Sequence, residues 1–195
     1  MSSSNEFYTF QFNATQTGVT RLTEVEGRKS QTENIGNSRF DLKTDAGAVV
    51  EVTRTELSRK GFLETTVYRD ADKNGQFNES FAFEVATSQV ALRNLEQYQF
   101  DLGANGTVTA QYELQRGQWK LDRLDRDETL QQVSLNGKNY VLKTEQEGAG
   151  VEFTLYRDDN KDGIWTEIAE GESNSLSVDL VGIQGYLAAA DALIG

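Results

Sequence analysis

The chain has 195 residues, a net charge of −12 and 37% hydrophobic residues, and it contains no Cys, His or Pro. Its length is sufficient to bury a core in one large domain or two small ones. The missing residue types exclude disulfides, Cys-ligated metal sites and catalysis by a Cys or His side chain, while the acidic balance argues against nucleic acid or an anionic membrane surface as a partner.

Alternating apolar residues predict β-strands from the start of the chain. Tyr8, Phe10 and Phe12 alternate with polar residues, and a period of two is typical of a half-buried strand. The same alternation recurs twice further along, at Phe77, Phe81, Phe83 and Val85 and then at Val151, Phe153 and Leu155. These runs indicate a chain made mainly of antiparallel strands.

Turn sequences separate the predicted strands, at Ser58–Gly61, Asn105-Gly106, Asn136-Gly137 and Gly148–Gly150. Asn136-Gly137 lies between two alternating runs, which is a strong signal for a two-residue hairpin. Two stretches favour helix instead: 89–97 and the Ala-rich segment 185–194. Neither has a recognisable cap.

Self-comparison indicates that the chain contains a duplication. The segment Val67-Tyr68-Arg69-Asp70 recurs 88 residues later as Leu155-Tyr156-Arg157-Asp158. The strand at Tyr8–Phe12 matches Tyr98–Leu102 at a shift of 90. We therefore predict two β-rich units, 1–94 and 95–182. The remaining residues, 183–195, are predicted to be a truncated third repeat, a short helix or an export signal.

The predicted fold class is all-β, with two tandem antiparallel repeats that form a sandwich or a barrel. No Pro- or Gly-rich linker marks a boundary near residue 95, so the repeats can share one domain or form two. No stretch approaches the roughly 18 apolar residues that a membrane-spanning helix requires, and the first residues lack the pattern of a secretory signal. We expect no membrane span and no cleaved leader.

An acidic loop occurs at the best-repeated place in each unit, at residues 70–79 and 158–167. Both loops fit the pattern Asp-x-[Asp/Asn]-x-[Asp/Asn]-Gly that opens an EF-hand calcium loop. Calcium binds six to eight oxygen atoms, and alternate side chains converge on one point when the chain coils. The Gly at position 6 permits the sharp turn that this coiling requires. An alternative is that Asp, Asn and Gly serve only as good turn residues.

The predicted calcium ligands occupy equivalent positions of the two loops. Positions 1, 3 and 5 supply side-chain oxygens, position 7 supplies a backbone carbonyl, and a Glu at position 10 closes the site. The predicted ligands are therefore Asp70, Asp72, Asn74, Gln76 and Glu79 in the first loop, and Asp158, Asn160, Asp162, Ile164 and Glu167 in the second. We predict about two Ca²⁺ sites. Phe77 and Trp165, at position 8, are expected to pack in the core beneath the loop.

The two loops resemble the Asp-x-Asp-x-Asp-Gly calcium loops of EF-hands, dockerins and many bacterial surface proteins. They differ at position 12, where an EF-hand has a bidentate Glu and this chain has Phe81 and Ala169. Together with the acidic composition and the missing Cys, the loops loosely resemble those of bacterial calcium-binding proteins exported by type I secretion. That resemblance implies an extracellular or cell-surface location, with a cytoplasmic location as the alternative.

The sequence thus predicts a non-enzymatic, calcium-stabilised, secreted or surface β-protein with an interaction or matrix role. Its partner is expected to be an unidentified protein or polysaccharide, not a nucleic acid. A first alternative is a β-barrel carrier whose internal cavity is lined by residues such as Phe81, Phe83 and Trp119. A second is a carbohydrate-active enzyme that uses paired carboxylates in an open cleft.

Overall fold

The structure, a computed structural model, describes residues 6–88, 91–92 and 95–194. It confirms an all-β chain with antiparallel pairing and a C-terminal helix. The strands are β1 Glu6–Phe12, β2 Val19–Glu26, β3 Lys29–Thr32, β4 Ser38–Asp45, β5 Ala48–Leu57, β6 Phe62–Arg69, β7 Asn78–Ala86, β8 Gln97–Leu102, β9 Val108–Gln115, β10 Gln118–Asp122, β11 Glu128–Leu135, β12 Lys138–Glu147, β13 Gly150–Arg157 and β14 Trp165–Ser173, and the helix is α1 Leu180–Ile194.

The chain folds into two compact units. The first contains the chain up to residue 57 together with residues 64–82, and the second contains residues 58–63 and the chain from residue 83 onward. The strands β6 and β7 therefore contribute residues to both units. The compact units therefore divide the chain at other places than the predicted repeats, 1–94 and 95–182.

In the first unit, β1, β2 and β3 form an antiparallel sheet in which Phe10 lies opposite Leu22. The strands β4 to β7 are neighbours in chain order. One side of β1 packs on a buried cluster that includes Val52, Tyr68 and Phe77. The predicted alternation in β1 is therefore confirmed, since Phe10 contacts Phe77 edge to face at 5.0 Å.

In the second unit the strands follow the order β10-β9-β8-β14-β13-β12-β11. The buried cluster of this unit comprises Tyr98, Val141, Tyr156 and Trp165. Phe100 of β8 packs against it, with its ring 5.8 Å from Trp165 in an edge-to-face contact. Edge-to-face aromatic pairs contribute to stability beyond their buried area.

The predicted turn at Asn136-Gly137 is confirmed. Leu135 pairs with Lys138, so the two residues alone connect β11 to β12. Both have positive φ, 52° at Asn136 and 74° at Gly137. This combination defines the type I′ turn, whose twist matches that of the flanking strands.

The C-terminal segment is a helix, and it begins five residues earlier than predicted. The Asp179 carboxylate accepts hydrogen bonds from the backbone N–H groups of Val181 and Gly182, both at 3.1 Å, so it is the N-cap that the sequence analysis missed. Ile183, Leu187 and Ala190 form the buried stripe. Tyr186 lies within this helix and not on a strand.

Of the other predicted helix, residues 89–97, four residues lie outside the described ones: 89, 90, 93 and 94. Ala91 and Leu92 are helical, and Gln97 begins β8. Among the described residues, no helix is both long enough and apolar enough to cross a bilayer.

Candidate metal centre

Each acidic loop connects two neighbouring strands. The first loop follows β6 and leads into β7, and the second follows β13 and leads into β14. β13 and β14 pair antiparallel, with Arg157 opposite Thr166 at the base of the loop. The predicted position of both loops between consecutive strands is therefore found.

In the first loop, the position 1 carboxylate caps the backbone of the coil. One oxygen of Asp70 accepts a hydrogen bond from the N–H of Asn74 at 3.0 Å, and the other accepts one from the N–H of Gly75 at 2.8 Å. The Asn74 side-chain oxygen accepts a further bond from the N–H of Gln76 at 2.7 Å. These contacts fold the loop into a single compact coil.

The second loop has the same arrangement at equivalent positions. The two oxygens of Asp158 accept hydrogen bonds from the N–H groups of Asp162 at 3.2 Å and Gly163 at 3.0 Å. One oxygen of Asp162 accepts a bond from the N–H of Ile164 at 2.8 Å. The positions that cap the backbone are thus 1 and 5 in both loops.

Positions 3 and 5 are linked by an amide–carboxylate hydrogen bond in both loops, although the residue types are exchanged. The Asn74 side-chain amide donates to Asp72 at 2.9 Å, and the Asn160 amide donates to Asp162 at 2.9 Å. Two carboxylates at these positions would repel each other, whereas one Asn and one Asp attract in either order. This pairing explains an exchange that sequence comparison alone leaves unexplained.

The backbone conformation of the coil also agrees between the loops. Gly75 and Gly163, at position 6, have φ of 85° and 82°, and Lys73 and Lys161, at position 4, have φ of 57° and 60°. Glycine adopts positive φ without strain, whereas a lysine in this region is unfavourable. The coil therefore requires a positive φ at position 4, although the sequence motif leaves that position unspecified.

The predicted closing glutamates lie beside tyrosines. The charge of Glu79 contributes to raising the pKa of both Tyr8 and Tyr68, after the larger effect of burial. In the second unit, burial and the nearby charge of Glu167 raise the pKa of Tyr156. The structure thus places the position 10 carboxylates against the aromatic clusters, at the strand ends of the loops.

Glu167 has a strongly perturbed pKa, about 7. Burial is the largest cause, and the neighbouring charges of Glu170 and Glu96 add to it. The hydroxyl of Tyr98, which donates a hydrogen bond to Glu96 at 2.7 Å, and the ammonium group of Lys143 offset part of the shift. A Glu with this pKa is only partly ionised at neutral pH.

Within residues 6–88, 91–92 and 95–194, no three Asp or Glu side chains are arranged as a metal-binding group. Each position 1 oxygen accepts one backbone hydrogen bond, and a carboxylate oxygen has a second lone pair that remains able to bind a cation. In each loop, hydrogen bonds thus link the position 1 carboxylate to the backbone of positions 5 and 6, and the side chain of position 3 to that of position 5.

The position 8 residues pack as predicted. Phe77 is 2% exposed and Trp165 is 6% exposed, and each belongs to the buried cluster of its own unit. The arginines that precede the loops differ. Arg69 pairs with Glu51 on the surface at 2.9 Å, whereas Arg157 is buried and pairs with Asp159 at 2.6 Å and with Asp191 of α1 at 3.2 Å.

Two observations bear on the carrier and enzyme alternatives. Phe83 is buried, stacks with Phe153 at 5.9 Å and meets the ring of Tyr186 at 6.0 Å in a tilted contact, as expected of a filled core. A pocket lined in part by Glu84, Glu167 and Glu170 has a volume of about 100 Å³, whereas small-molecule sites are typically ~300–1,000 Å³.

Comparison of the chain with protein-family models, with curated proteins and with solved structures finds no match.

Proposed function

We propose that the protein is a non-enzymatic, calcium-stabilised extracellular or cell-surface β-protein with an interaction or matrix role. The observation that carries this proposal is the common hydrogen-bond arrangement of the two loops. Positions 1 and 5 cap the same N–H groups in both, and positions 3 and 5 stay joined although Asp and Asn are exchanged.

Tandem duplication is part of the same proposal, and the pairing of the aromatic strands supports it. Tyr8 bridges to Phe77 through two backbone hydrogen bonds, of 2.7 and 2.8 Å. Tyr98 pairs with Trp165 in the second unit. Tyr8 and Tyr98 are related by a shift of 90, and Phe77 and Trp165 by a shift of 88, so the first strand of each predicted repeat pairs in the same way with position 8 of its own loop.

Calcium suits the donor set of these loops. The oxygens of carboxylates, amides and backbone carbonyls are its preferred ligands, and it tolerates irregular geometry. In this proposal the first site uses Asp70, Asp72, Asn74 and the carbonyl of Gln76. The equivalent set binds in the second loop, and Glu79 and Glu167 remain the predicted closing ligands. The carboxylates of the two loops favour a divalent cation over an anion at these positions.

The expected effect of calcium is moderate stabilisation. At an extracellular-type Kd of about 10⁻⁴–10⁻³ M, calcium at about 1 mM would add ~0.4–1.4 kcal/mol per site. For a chain of this size, the two sites together correspond to a rise in Tm of ~2–10 °C. Calorimetric titration should find about two sites, and chelator should reverse the rise in Tm. Equal Tm values in calcium and in chelator, together with no heat of binding, would refute the proposal.

Variants at position 3 separate a ligand role from a turn role. Asp72→Asn removes a charge but keeps an oxygen that can accept the hydrogen bond from Asn74, so the Tm in chelator should stay within about 1 °C of wild type. Calcium binding at the first loop should weaken, because that loop then has one carboxylate fewer than before. The matched control exchanges Asn160 and Asp162, giving the second loop the residue order of the first. This control should retain both sites, and its loss of calcium binding would contradict the proposed ligand positions.

A further inference from the structure

A groove in the second unit lies beside the second acidic loop. Its volume is about 590 Å³, and it is lined in part by Gln132, Lys138, Asn139, Arg157, Lys161 and Trp165. We call it the hairpin groove, because the β11–β12 turn forms one wall. The volume lies within the range of small-molecule sites. Its polar lining suits a hydrophilic ligand.

Lys161 supplies an uncompensated positive charge to the hairpin groove. Among the described residues, no hydrogen bond or ion pair involves its ammonium group. The equivalent lysine of the first loop, Lys73, instead pairs with Asp45 at 2.7 Å. Asp45 ends β4 just before its hairpin turn, and the residue that ends β11 in the corresponding place is the apolar Leu135. The second unit therefore lacks the acid that neutralises this lysine in the first.

The other cations of the groove are already neutralised. Lys138 pairs with Asp191 at 2.8 Å, and Arg157 pairs with Asp159 at 2.6 Å as well as with Asp191. The carboxylates of Asp158 and Asp159 also line the groove. A ligand therefore meets one free positive charge with acidic groups nearby, which favours a single negative charge over two.

Two amide side chains add neutral hydrogen-bonding capacity. Gln132 pairs with Val141 and Ser134 pairs with Asn139, so Gln132 and Asn139 lie on the same face of the β11–β12 hairpin. Within the part of the chain that the structure describes, neither side-chain amide makes a hydrogen bond. A primary amide both donates and accepts, and hydroxyl groups match both functions.

We propose that the hairpin groove binds a carboxylated sugar, such as a uronic acid residue of a polysaccharide. The carboxylate pairs with the ammonium group of Lys161. The sugar hydroxyls bond to the amides of Gln132 and Asn139, and Trp165 forms part of the apolar lining. This binding does not require calcium. It names the chemical class of partner, an acidic polysaccharide, for the interaction role proposed above.

The test is a ¹H–¹⁵N NMR titration of the full chain with glucuronate, in chelator and again in calcium. We expect a Kd on the order of 1 mM, with shifts at the side-chain amides of Gln132 and Asn139 and at the backbone of Lys161. Lys161→Gln should weaken glucuronate about fivefold, as expected for one exposed charge pair. Asn139→Ala should weaken it about threefold, as expected for a hydrogen bond. The matched control, Lys73→Gln, should leave glucuronate binding unchanged.

Other ligands give the outcomes that would overturn this inference. Glucose, which has the ring without the carboxylate, and acetate, which has the carboxylate without the ring, should each bind at least fivefold more weakly than glucuronate. If glucose, acetate or inorganic phosphate binds as tightly as glucuronate, a carboxylated sugar is refuted as the ligand. It is also refuted if Lys161→Gln and Lys73→Gln weaken glucuronate binding equally. If the chain binds glucuronate in chelator but binds no calcium, the glucuronate inference stands and the calcium proposal is refuted. If it binds calcium but does not respond to glucuronate, the calcium proposal stands and the glucuronate inference is refuted.

Discussion

Asp191→Ala is expected to lower the free energy of unfolding by about 2–3 kcal/mol. Arg157 is only 8% exposed, and its guanidinium depends on Asp191 of α1 and Asp159 of the loop for charge compensation. Removing one partner of a buried ion pair costs about 3–5 kcal/mol because the other charge stays buried and uncompensated. The cost is smaller here because the Asp191 side chain is 29% exposed and Asp159 remains. For this chain length, the corresponding fall in Tm is ~4–12 °C.

The effect of Asp191→Ala should be concentrated in the helix. Asp191 also binds Lys138 at 2.8 Å, and the side chain of Asn136 donates to the carbonyl of Gln184 at 2.8 Å. These contacts join α1 to the β11–β12 hairpin. Hydrogen exchange should therefore accelerate most in residues 180–194, because local opening of the helix no longer requires the ion pairs of Asp191 to break. An exchange profile that changes uniformly along the chain would contradict this coupling.

Two variants complete this test. Asp41→Ala removes an exposed carboxylate that pairs with Arg39 on the surface, and its effect on stability should stay within about 0.5 kcal/mol. The double variant Arg157→Met with Asp191→Leu replaces the charges by apolar groups and should recover most of the lost stability. A double variant no more stable than Asp191→Ala would show that packing of the helix, and not the buried charge, causes the loss.

The same ion pairs predict acid sensitivity. Burial alone raises the pKa of Asp191, but the hydrogen bond and charge of Lys138 and the charge of Arg157 outweigh it and hold the pKa below its usual range. A carboxyl with a depressed pKa stabilises the fold above its unfolded pKa and loses that contribution as the pH falls. Wild type should therefore lose stability below about pH 4 more steeply than Asp191→Ala.

Local patterns were sufficient to predict much of this fold. The period-two alternation identified the strands at Tyr8 and Val151, and Asn136-Gly137 identified a hairpin, because strand faces and tight turns depend on residues adjacent in sequence. The motif likewise located both coils. The helix start was missed because Gly182 and Gly185 weaken the helical signal, although Asp179 is a typical N-cap residue.

Contacts between distant residues could not be predicted from one sequence. Asp191 meets Arg157 across 34 residues, and nothing local distinguishes this aspartate from a solvated one. The free Lys161 is another example, since it differs from Lys73 only through the residue that ends the neighbouring hairpin strand. The surroundings of Glu167 also depend on strand pairing, which brings the backbone of Glu96 to its N–H at 3.3 Å.

Glu167→Gln is expected to change the pH dependence of stability. Burial raises the pKa of Glu167 to about 7, with Glu170 and Glu96 adding to the shift, whereas in the unfolded chain the pKa is about 4.3–4.5. The folded protein therefore binds this proton more tightly than the unfolded chain does. Stability from this group is fully present below about pH 4.5 and is lost as the pH rises to about 7.

The raised pKa of Glu167 sets the size of the change in stability, after a reduction for solvent screening. The difference between a pKa of about 7 in the folded protein and about 4.5 in the unfolded chain corresponds to ~3.4 kcal/mol without solvent screening. Because the side chain is partly exposed, the expected contribution to the free energy of unfolding is about 1–2 kcal/mol. In Glu167→Gln, a neutral amide of similar shape replaces the protonated carboxyl. At pH 8 the variant should be more stable than wild type by that amount, and near pH 4.5 the two should agree. Urea unfolding at intervals between pH 4.5 and 8 measures the difference.

Glu64→Gln provides the matched control, because it makes the same substitution at an exposed position of β6. A pH profile that is the same in wild type and Glu167→Gln would refute the perturbed pKa. Repeating the titration in calcium then tests the predicted closing ligand. A bound cation favours the ionised carboxylate, so a ligand role for Glu167 requires the loss of stability near pH 7 to disappear in calcium. If Glu167 belongs only to the tyrosine cluster, calcium raises stability by the same amount at every pH above 5, and the carbonyl and carboxylate oxygens of the coil hold the ion without it.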